Sequence, residues 1–430
     1  MPPAIAVAPA LSDAYEAYER ADLDACVSLL QGRPSIERDQ LLARAYIRMK
    51  RLPDAEQLLR KSPGRRRSMT LALLGGTLAR QGRDAEAQPF LEQALATAKT
   101  AEERSEARYT QALTHWMFRR TDEAGAILSE GDFGPNSHLA ESLRGFIASR
   151  HGDFTAAVRC FERAALQSGG DLMEECSSLR AASVLSREMR ISSLMERVLR
   201  RMSQIEWTPH LELSRFHMTR ASAWFTAIEG DYTLALRQFN EAASFGVSEA
   251  FRASAMCDRA YLSLVLGEAL NGWALADEAL EMASRIDWDA CTDDGRMALL
   301  YLANLHAERR PIEAQRCWKR YTSLKPTEPL LMWPTEPHIA AWESFTAASL
   351  EKSLGNHAAA MEHFTRAYAI YRRIGFEWRA VLTLLARGNL NATESDYVES
   401  TLDRFPNSWL RHVAVNEAAK QQPSLALAVA

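Results

Sequence analysis

The sequence predicts an all-α superhelix of about ten stacked helical hairpins, and three observations carry that prediction. The 430 residues include only 20 Gly and 16 Pro, about 8% together against an average near 12%. That is too few turn-formers for an all-β chain, which turns roughly every 8–12 residues. Second, 47% of the residues are apolar, yet no stretch approaches the roughly 18 uncharged apolar residues of a membrane span. Third, one pattern of glycine, aromatics and alanine recurs along most of the chain.

The pattern is a glycine, an aromatic at plus two, an alanine at plus five, an aromatic at plus nine and an alanine at plus twelve. Gly152, Phe154, Ala157, Phe161 and Ala164 carry it, as do Gly230, Tyr232, Ala235, Phe239 and Ala242. Gly355, Ala360, Phe364 and Ala367 form a third copy with His357 in the first aromatic slot. Weaker copies hold Gly82, Ala87, Leu91 and Ala94, and Gly267, Ala276 and Ala279; Ala25, Ala55, Ala124 and Ala314 mark copies without the glycine. The segment around Leu194 fits by position only. The plus-five positions run 25, 55, 87, 124, 157, 194, 235, 272, 314 and 360, a mean spacing of about 37 residues.

Each element has a physical reason. Glycine ends one helix in a left-handed turn, and the next helix carries its two alanines on one face, two turns apart. Small side chains there admit a partner helix closely, and the aromatic between them fills the space alongside. The preceding first helix reads clearly at Ser68 to Gln81, with Leu71, Leu74, Gly75 and Leu78, and at Leu139 to Arg150, with Leu143 and Gly145. Gly75 and Gly145 each stand seven residues before a turn glycine. One hairpin cannot bury both faces, so successive hairpins stack with a continuous core.

These residues resemble the tetratricopeptide repeat, in which a small residue of the first helix packs on alanines of the second; the resemblance covers most of residues 12–390 and implies a right-handed superhelix. The mean period exceeds the family's about 34 residues, and the last two spacings are 42 and 46. Pro326, twelve residues after Ala314, falls where that family often ends its second helix. Residues 367–380 (AYAIYRRIGFEWRA) and 404–410 (RFPNSWL) are similar to the sensor solenoids of large bacterial LuxR-type transcription activators and related signalling ATPases. Neither a G-x-x-x-x-G-K-[ST] phosphate loop nor a basic recognition helix accompanies them.

The sequence divides into a flexible N-terminus at 1–11, repeats at 12–325, a Pro-rich loop or joint at 326–340, C-terminal units and a cap at 341–415, and a tail at 416–430. Pro326, Pro329, Pro334 and Pro337 surround Trp333, a spacing that excludes regular helix; the segment is either a joint or a docking lid. The part after Asn391 reads as a capping helical pair, with Trp409 covering the last hydrophobic face. Pro63-Gly64-Arg65-Arg66-Arg67 reads as a solvated turn rather than a phosphate site.

No catalytic or cofactor constellation emerges. The ten histidines and six scattered cysteines form no zinc spacing, no C-x-x-C and no H-E-x-x-H; a nucleophile elbow and a dinucleotide glycine fingerprint are missing too. The cysteines read as reduced thiols of a cytoplasmic protein. Lys plus Arg 51 against Asp plus Glu 55 gives net charge −4, without the basic bias of nucleic-acid or anionic-membrane binding.

What remains is the inner surface of the stack. Tetratricopeptide groove positions lie three residues before, and one and four after, the small residue of the first helix. By that resemblance they select Tyr109 and Trp116, Ser142 and Phe146, Leu179 and Ser183, Arg220 and Trp224, Cys257 and Tyr261, then Leu299 and His306 with Arg296 one turn earlier, and Phe345 with Trp342 nearby. Arg180 joins only if its unit slips register by one. Arginine offers a planar fork to carboxylate and the aromatics offer stacking area. This points to a protein or peptide partner or a small acidic ligand; the alternative is that the aromatics pack on neighbouring helices and the arginines pair with local acids. As function classes, a non-catalytic interaction or sensor module in regulation leads, ahead of a plain adaptor, a nucleic-acid-binding repeat and an enzyme. Oligomeric state is not encoded legibly.

Overall fold

A computed structural model describes residues 9–32, 35–324 and 336–421. Among these residues lie 23 α-helices and no β-strand. In order they are α1 (Pro9–Glu19), α2 (Leu23–Leu29), α3 (Ile36–Arg48), α4 (Leu52–Lys61), α5 (Ser68–Arg80), α6 (Asp84–Thr97), α7 (Ala101–Met117) and α8 (Thr121–Glu130). Next come α9 (Ser137–His151), α10 (Phe154–Leu166), α11 (Leu172–Met189), α12 (Ser192–Met202), α13 (Glu212–Glu229), α14 (Tyr232–Ser244), α15 (Glu249–Val265) and α16 (Ala269–Ala283). The last are α17 (Asp293–His306), α18 (Pro311–Ser323), α19 (Glu336–Ser353), α20 (His357–Arg373), α21 (Glu377–Arg387), α22 (Ala392–Arg404) and α23 (Trp409–Gln421).

The chain forms two units. The first holds Met1–Ser149, Thr155–Leu179 and Glu206–Glu212; the second holds Arg150–Phe154, Arg180–Ile205 and Leu213–Ala430. In the first, α1 and α2, α3 and α4, α5 and α6, and α7 and α8 pair as hairpins, and the first helices stack α1 on α3, α3 on α5 and α5 on α7. In the second, α15 and α16, α17 and α18, and α19 and α20 pair likewise, α15 stacks on α17 and α17 on α19, and α23 returns to pack on α15 and α21. This is the all-α helical-hairpin array that the repeat predicts.

The repeat residues do what their spacing requires. Ala55, Ala87, Ala124, Ala157, Ala235, Ala314 and Ala360 are buried, as are Phe161, Phe239 and Phe364. A Cβ on Gly75 would stand 2.7 Å from Leu91 Cδ2, and one on Gly145 2.7 Å from Phe161 Cε1, so both glycines mark contacts closer than alanine allows. Gly82, Gly152, Gly230, Gly267 and Gly355 all have positive φ, between 78° and 95°. In two copies without the glycine the geometry stays: Lys50 and Arg119, five residues before Ala55 and Ala124, sit at φ 59° and 62°; the turn before Ala314 has no such residue.

Two weak copies are corrected by one residue. The left-handed positions there are Ala21 and Arg190, so the plus-five residues are the buried Cys26 and Met195 rather than Ala25 and Leu194. With glycine absent from both turns, no residue in the sequence marks where the register falls. The Pro-rich loop at 326–340 lies mostly outside the described residues, but α19 already begins at Glu336, inside the stretch that the proline spacing excludes from regular helix. Pro337 is tolerated because the first-turn N–H it lacks has no intrahelical acceptor in any case. Residues 422–430 of the expected tail and 1–8 of the N-terminus lie outside the described residues; residues 416–421 belong to α23.

The helical pair after Asn391 forms, with Asn391 and Glu394 making a reciprocal capping box on α22. Trp409 is fully buried, against Trp378 of the preceding α21 (5.7 Å between ring centroids), as a cap packs, and also against Trp224 (5.5 Å) and Tyr261 (5.6 Å). It thus seats α23 both on α21 and on helices far earlier in the sequence.

Candidate functional site

In the first unit, four residues selected from the sequence, Tyr109, Trp116, Ser142 and Phe146, lie on α7 and α9. Trp116 is buried, 5.6 Å from Phe146, which in turn meets Phe161 edge-on at 4.9 Å. Both rings therefore serve packing rather than an open groove. Tyr109 is half-buried, and burial with the Glu174 charge raises its hydroxyl pKa. Around it the inner helices are charge-paired: Arg44 meets Glu106 at 2.9 Å, and Arg48 meets Asp171 and Glu174 while stacking 4.0 Å from the Tyr18 ring.

In the second unit, Arg220 is not a free groove arginine. Its Nε donates to Asp258, the pair being 4% and 3% exposed, and its guanidinium lies 4.5 Å from the Tyr301 ring. Arg296 donates to the backbone oxygens of Trp288 and Asp289, both at 3.1 Å, fastening the loop before its own helix. His306 is buried against the Ala276 carbonyl at 3.1 Å, and burial lowers its pKa. Arg220 and Arg296 are structural, since a buried cation is tolerated only with its hydrogen bonds made, while His306 is bonded through Nε2 and its Nδ1 has no partner among the described residues. Arg180 and Leu179 are both buried, and the Arg180 charge helps depress the pKa of buried His217, after burial itself.

Trp224, Tyr261 and Trp342 do come together. They line a cavity of about 50 Å³ together with Tyr301, Trp378 and Trp409. Its polar wall includes Arg187 of α11, Asp258 of α15, Asn304 of α17 and Arg379 of α21. Arg379 forms a two-point ion pair with Glu188, both bonds 2.8 Å, and lies between the Trp342 and Trp378 rings at 4.6 and 4.3 Å. Arg187 donates to the same Glu188 carboxylate. The two guanidiniums overcome the cost of burial and hold the Glu188 pKa down to about 2. Burial first, then Arg379 and Arg187, pushes the pKa of the neighbouring His338 down to about 3, so it is neutral at pH 7.

Tyr261, Asn304, Leu305 and Leu382 belong both to this cavity and to a groove of about 740 Å³. Phe345, Phe364, Leu264, Trp273 and Val413 supply apolar wall in the groove, and Lys352, Glu308 and Glu417 its charged rim. Lys352 itself donates to the Ala386 carbonyl at 2.6 Å, at the end of α21. Sequence reasoning missed Arg187, Glu188, Trp378, Arg379 and Trp409. One signal was present: Arg180 and Arg187 are seven apart on one helix, hence on one face. Among the described residues no His, Cys, Asp and Glu side chains gather as a metal-ligand set, and no helix is long and apolar enough to cross a membrane.

The fold and site together define an all-α helical-repeat protein with an aromatic, arginine-containing cavity opening on a groove. A tetratricopeptide-repeat family model matches residues 70–105, which span α5, α6 and the start of α7. A search of curated proteins returned no match. Among solved structures, the human IFIT1 dimer with PPP-AAAA is similar at 15% identity over 97% of this chain and 99% of that one, with TM-score 0.44. Yeast Tom70 aligns at 12% identity over 98% and 90%, with TM-score 0.35, and the APC/C hetero-tetramer Cut9-Hcn1 at 12% over 99% and 93%, with TM-score 0.33. At such scores nothing about ligands or partners passes from those proteins to this one.

Proposed function

We propose that the protein is a non-catalytic interaction or ligand-sensing module, and that the groove of the second unit, with the aromatic cavity at its base, is where it binds. The observation that supports this most is the continuity of the two spaces through Tyr261, Asn304, Leu305 and Leu382, since a mostly apolar concavity with a few convergent polar groups is the usual form of a binding site. A role in bacterial signalling or transcription regulation, in the cytoplasm, is supported by the likeness of residues 367–380 and 404–410 to LuxR-type sensor solenoids. Several groove walls belong to helices of different hairpins, so an occupant bridges hairpins and biases their stacking.

Thermal shift of the full chain against small-molecule and peptide libraries tests the reading. A sensor gives saturable stabilisation, and Ser349→Trp, which places a large ring on the groove wall, removes it while the helical circular dichroism is unchanged. Stabilisation that survives Ser349→Trp moves the site elsewhere. Co-elution with a partner protein and no small-ligand response identifies an adaptor instead, and tight oligonucleotide binding at low salt identifies a nucleic-acid-binding repeat.

A further inference from the structure

The uncharged polar groups of the groove stand in a row. Tyr261 of α15, Asn304 of α17 and Ser349 of α19 all line it, and each follows by one residue an alanine with no exposed surface, Ala260, Ala303 and Ala348. Three residues further on, Leu264, Ala307 and Lys352 line the same groove, so the three helices turn equivalent faces to it. Because α15 stacks on α17 and α17 on α19, a hydroxyl, a carboxamide and a second hydroxyl follow one another across the stack.

These groups have hydrogen bonds left to make. The Tyr261 hydroxyl and the Asn304 carboxamide bond to no side chain or carbonyl among the described residues. Burial first, then the Glu417 charge, raises the Tyr261 pKa, so the hydroxyl keeps the proton it donates. Ser349 Oγ donates to the Phe345 carbonyl at 3.1 Å and keeps its lone pairs as acceptors. An apolar body laid along the groove strips water from the row without replacing it, which is costly. A well-fitting occupant therefore brings both donors and acceptors along its length.

Spacing selects among such occupants. Packed helices lie about 8–10 Å apart, and an extended chain advances about 3.3 Å per residue, so neighbours in the row meet main-chain groups about three residues apart. The whole row spans about 16–20 Å, the length of five or six extended residues. An extended chain carries a donor and an acceptor at nearly every residue, whereas a helix has spent its own on intrahelical bonds. The adjoining cavity of about 50 Å³ suits one group of three to five heavy atoms, given roughly 10–15 Å³ per water on this measure.

We infer that the groove takes an extended, mostly apolar peptide segment of five or six residues, held through its main chain by Tyr261, Asn304 and Ser349, with one apolar side chain lodged in the aromatic cavity. This deepens the reading of the groove as a binding site and rests on it. Side chains of the segment alternate between the row and the opposite wall, where Phe364, Leu382 and Val413 are apolar.

The experiment uses the full chain and a library of acetylated, amidated hexapeptides of Ala, Leu, Val, Phe, Ser and Gln, so that no probe carries charge. Thermal shift and tryptophan fluorescence are read together. The best binder is then remade with esters replacing amides three residues apart, and separately as a stapled helix. Saturable binding is expected, with the ester and helical forms each weaker by at least about tenfold. Asn304→Leu keeps the size of the side chain and removes no bond within the protein; its ligand-free Tm is expected to match wild type, and the amide-over-ester preference is expected to fall below about threefold. A merely structural Asn304 does not move that ratio. Tyr261→Phe is expected to act in the same direction and carries the test should Asn304→Leu fail to fold. Equal binding of amide and ester forms by wild type, a ratio unchanged in both variants, or tighter binding of the stapled helix each overturns the inference. Small molecules that bind and are blocked by Ser349→Trp, with no hexapeptide response, overturn it yet leave the groove reading standing; no saturable response to either overturns both.

Discussion

Replacing Arg220 by methionine separates a structural arginine from a ligand-binding one. Arg220 and Asp258 are almost fully buried and bonded to each other, and the guanidinium also faces Tyr301. Removing one member leaves Asp258 as an uncompensated buried charge, a change that costs about 3–5 kcal/mol. Replacing both, Arg220→Met with Asp258→Leu, removes the charge altogether and is expected to come within about 1 kcal/mol of wild type, because a buried pair is worth little over a well-packed apolar one. The assay is urea unfolding followed by tryptophan fluorescence, which Trp224, Trp342, Trp378 and Trp409 report from the same unit. A double-mutant cycle then gives a coupling of at least about 2 kcal/mol. A loss below about 1 kcal/mol in Arg220→Met, with ligand binding abolished, would refute this reasoning and return Arg220 to the groove.

Three further outcomes follow from the packing. Gly145→Ala pushes a methyl group to 2.7 Å from Phe161 and is expected to cost about 1–3 kcal/mol by overpacking, read as a lower denaturation midpoint. Lys50→Gly relieves a left-handed residue at φ 59° and is expected to raise stability by about 0.5–1 kcal/mol in the same measurement. Acid should destabilise the second unit early: folding lowers the His338 pKa from 6.5 to about 3, so the unfolded chain binds the extra proton and the stability present above pH 6.5 is lost as pH falls toward 3. Glu188, held near 2 by its guanidiniums, adds a second loss below about pH 4.5. A His338→Gln variant is expected to flatten the Tm decline between pH 6.5 and 4.5; an unchanged slope contradicts the assignment.

The fold was legible because its repeat rests on steric necessities that recur locally. Only small residues fit at Gly75, Gly145 and the buried alanines, and the turn glycines stand where φ is positive, so spacing alone located the hairpins. Register blurred where the glycine was replaced, at Ala21 and Arg190, since a left-handed alanine or arginine leaves no mark in the sequence. The site was legible in part. Trp224, Tyr261 and Trp342 lie on the inner stripe of first helices and could be counted out from the repeat. Arg379 and Glu188 are 191 positions apart, and Trp409 arrives on a helix outside the repeat; such contacts arise from chain return, which no local period encodes. For Arg220 the sequence displayed an arginine in the groove register but not that Asp258, one hairpin later, neutralises it.

A crystal structure of the full chain with 4-iodobenzoate tests the central claim most directly, because the iodine locates the ligand by anomalous scattering. The iodinated ring is predicted in the groove of the second unit, against Tyr261, Leu264, Phe345 and Leu382. Iodine bound only outside that groove would contradict it.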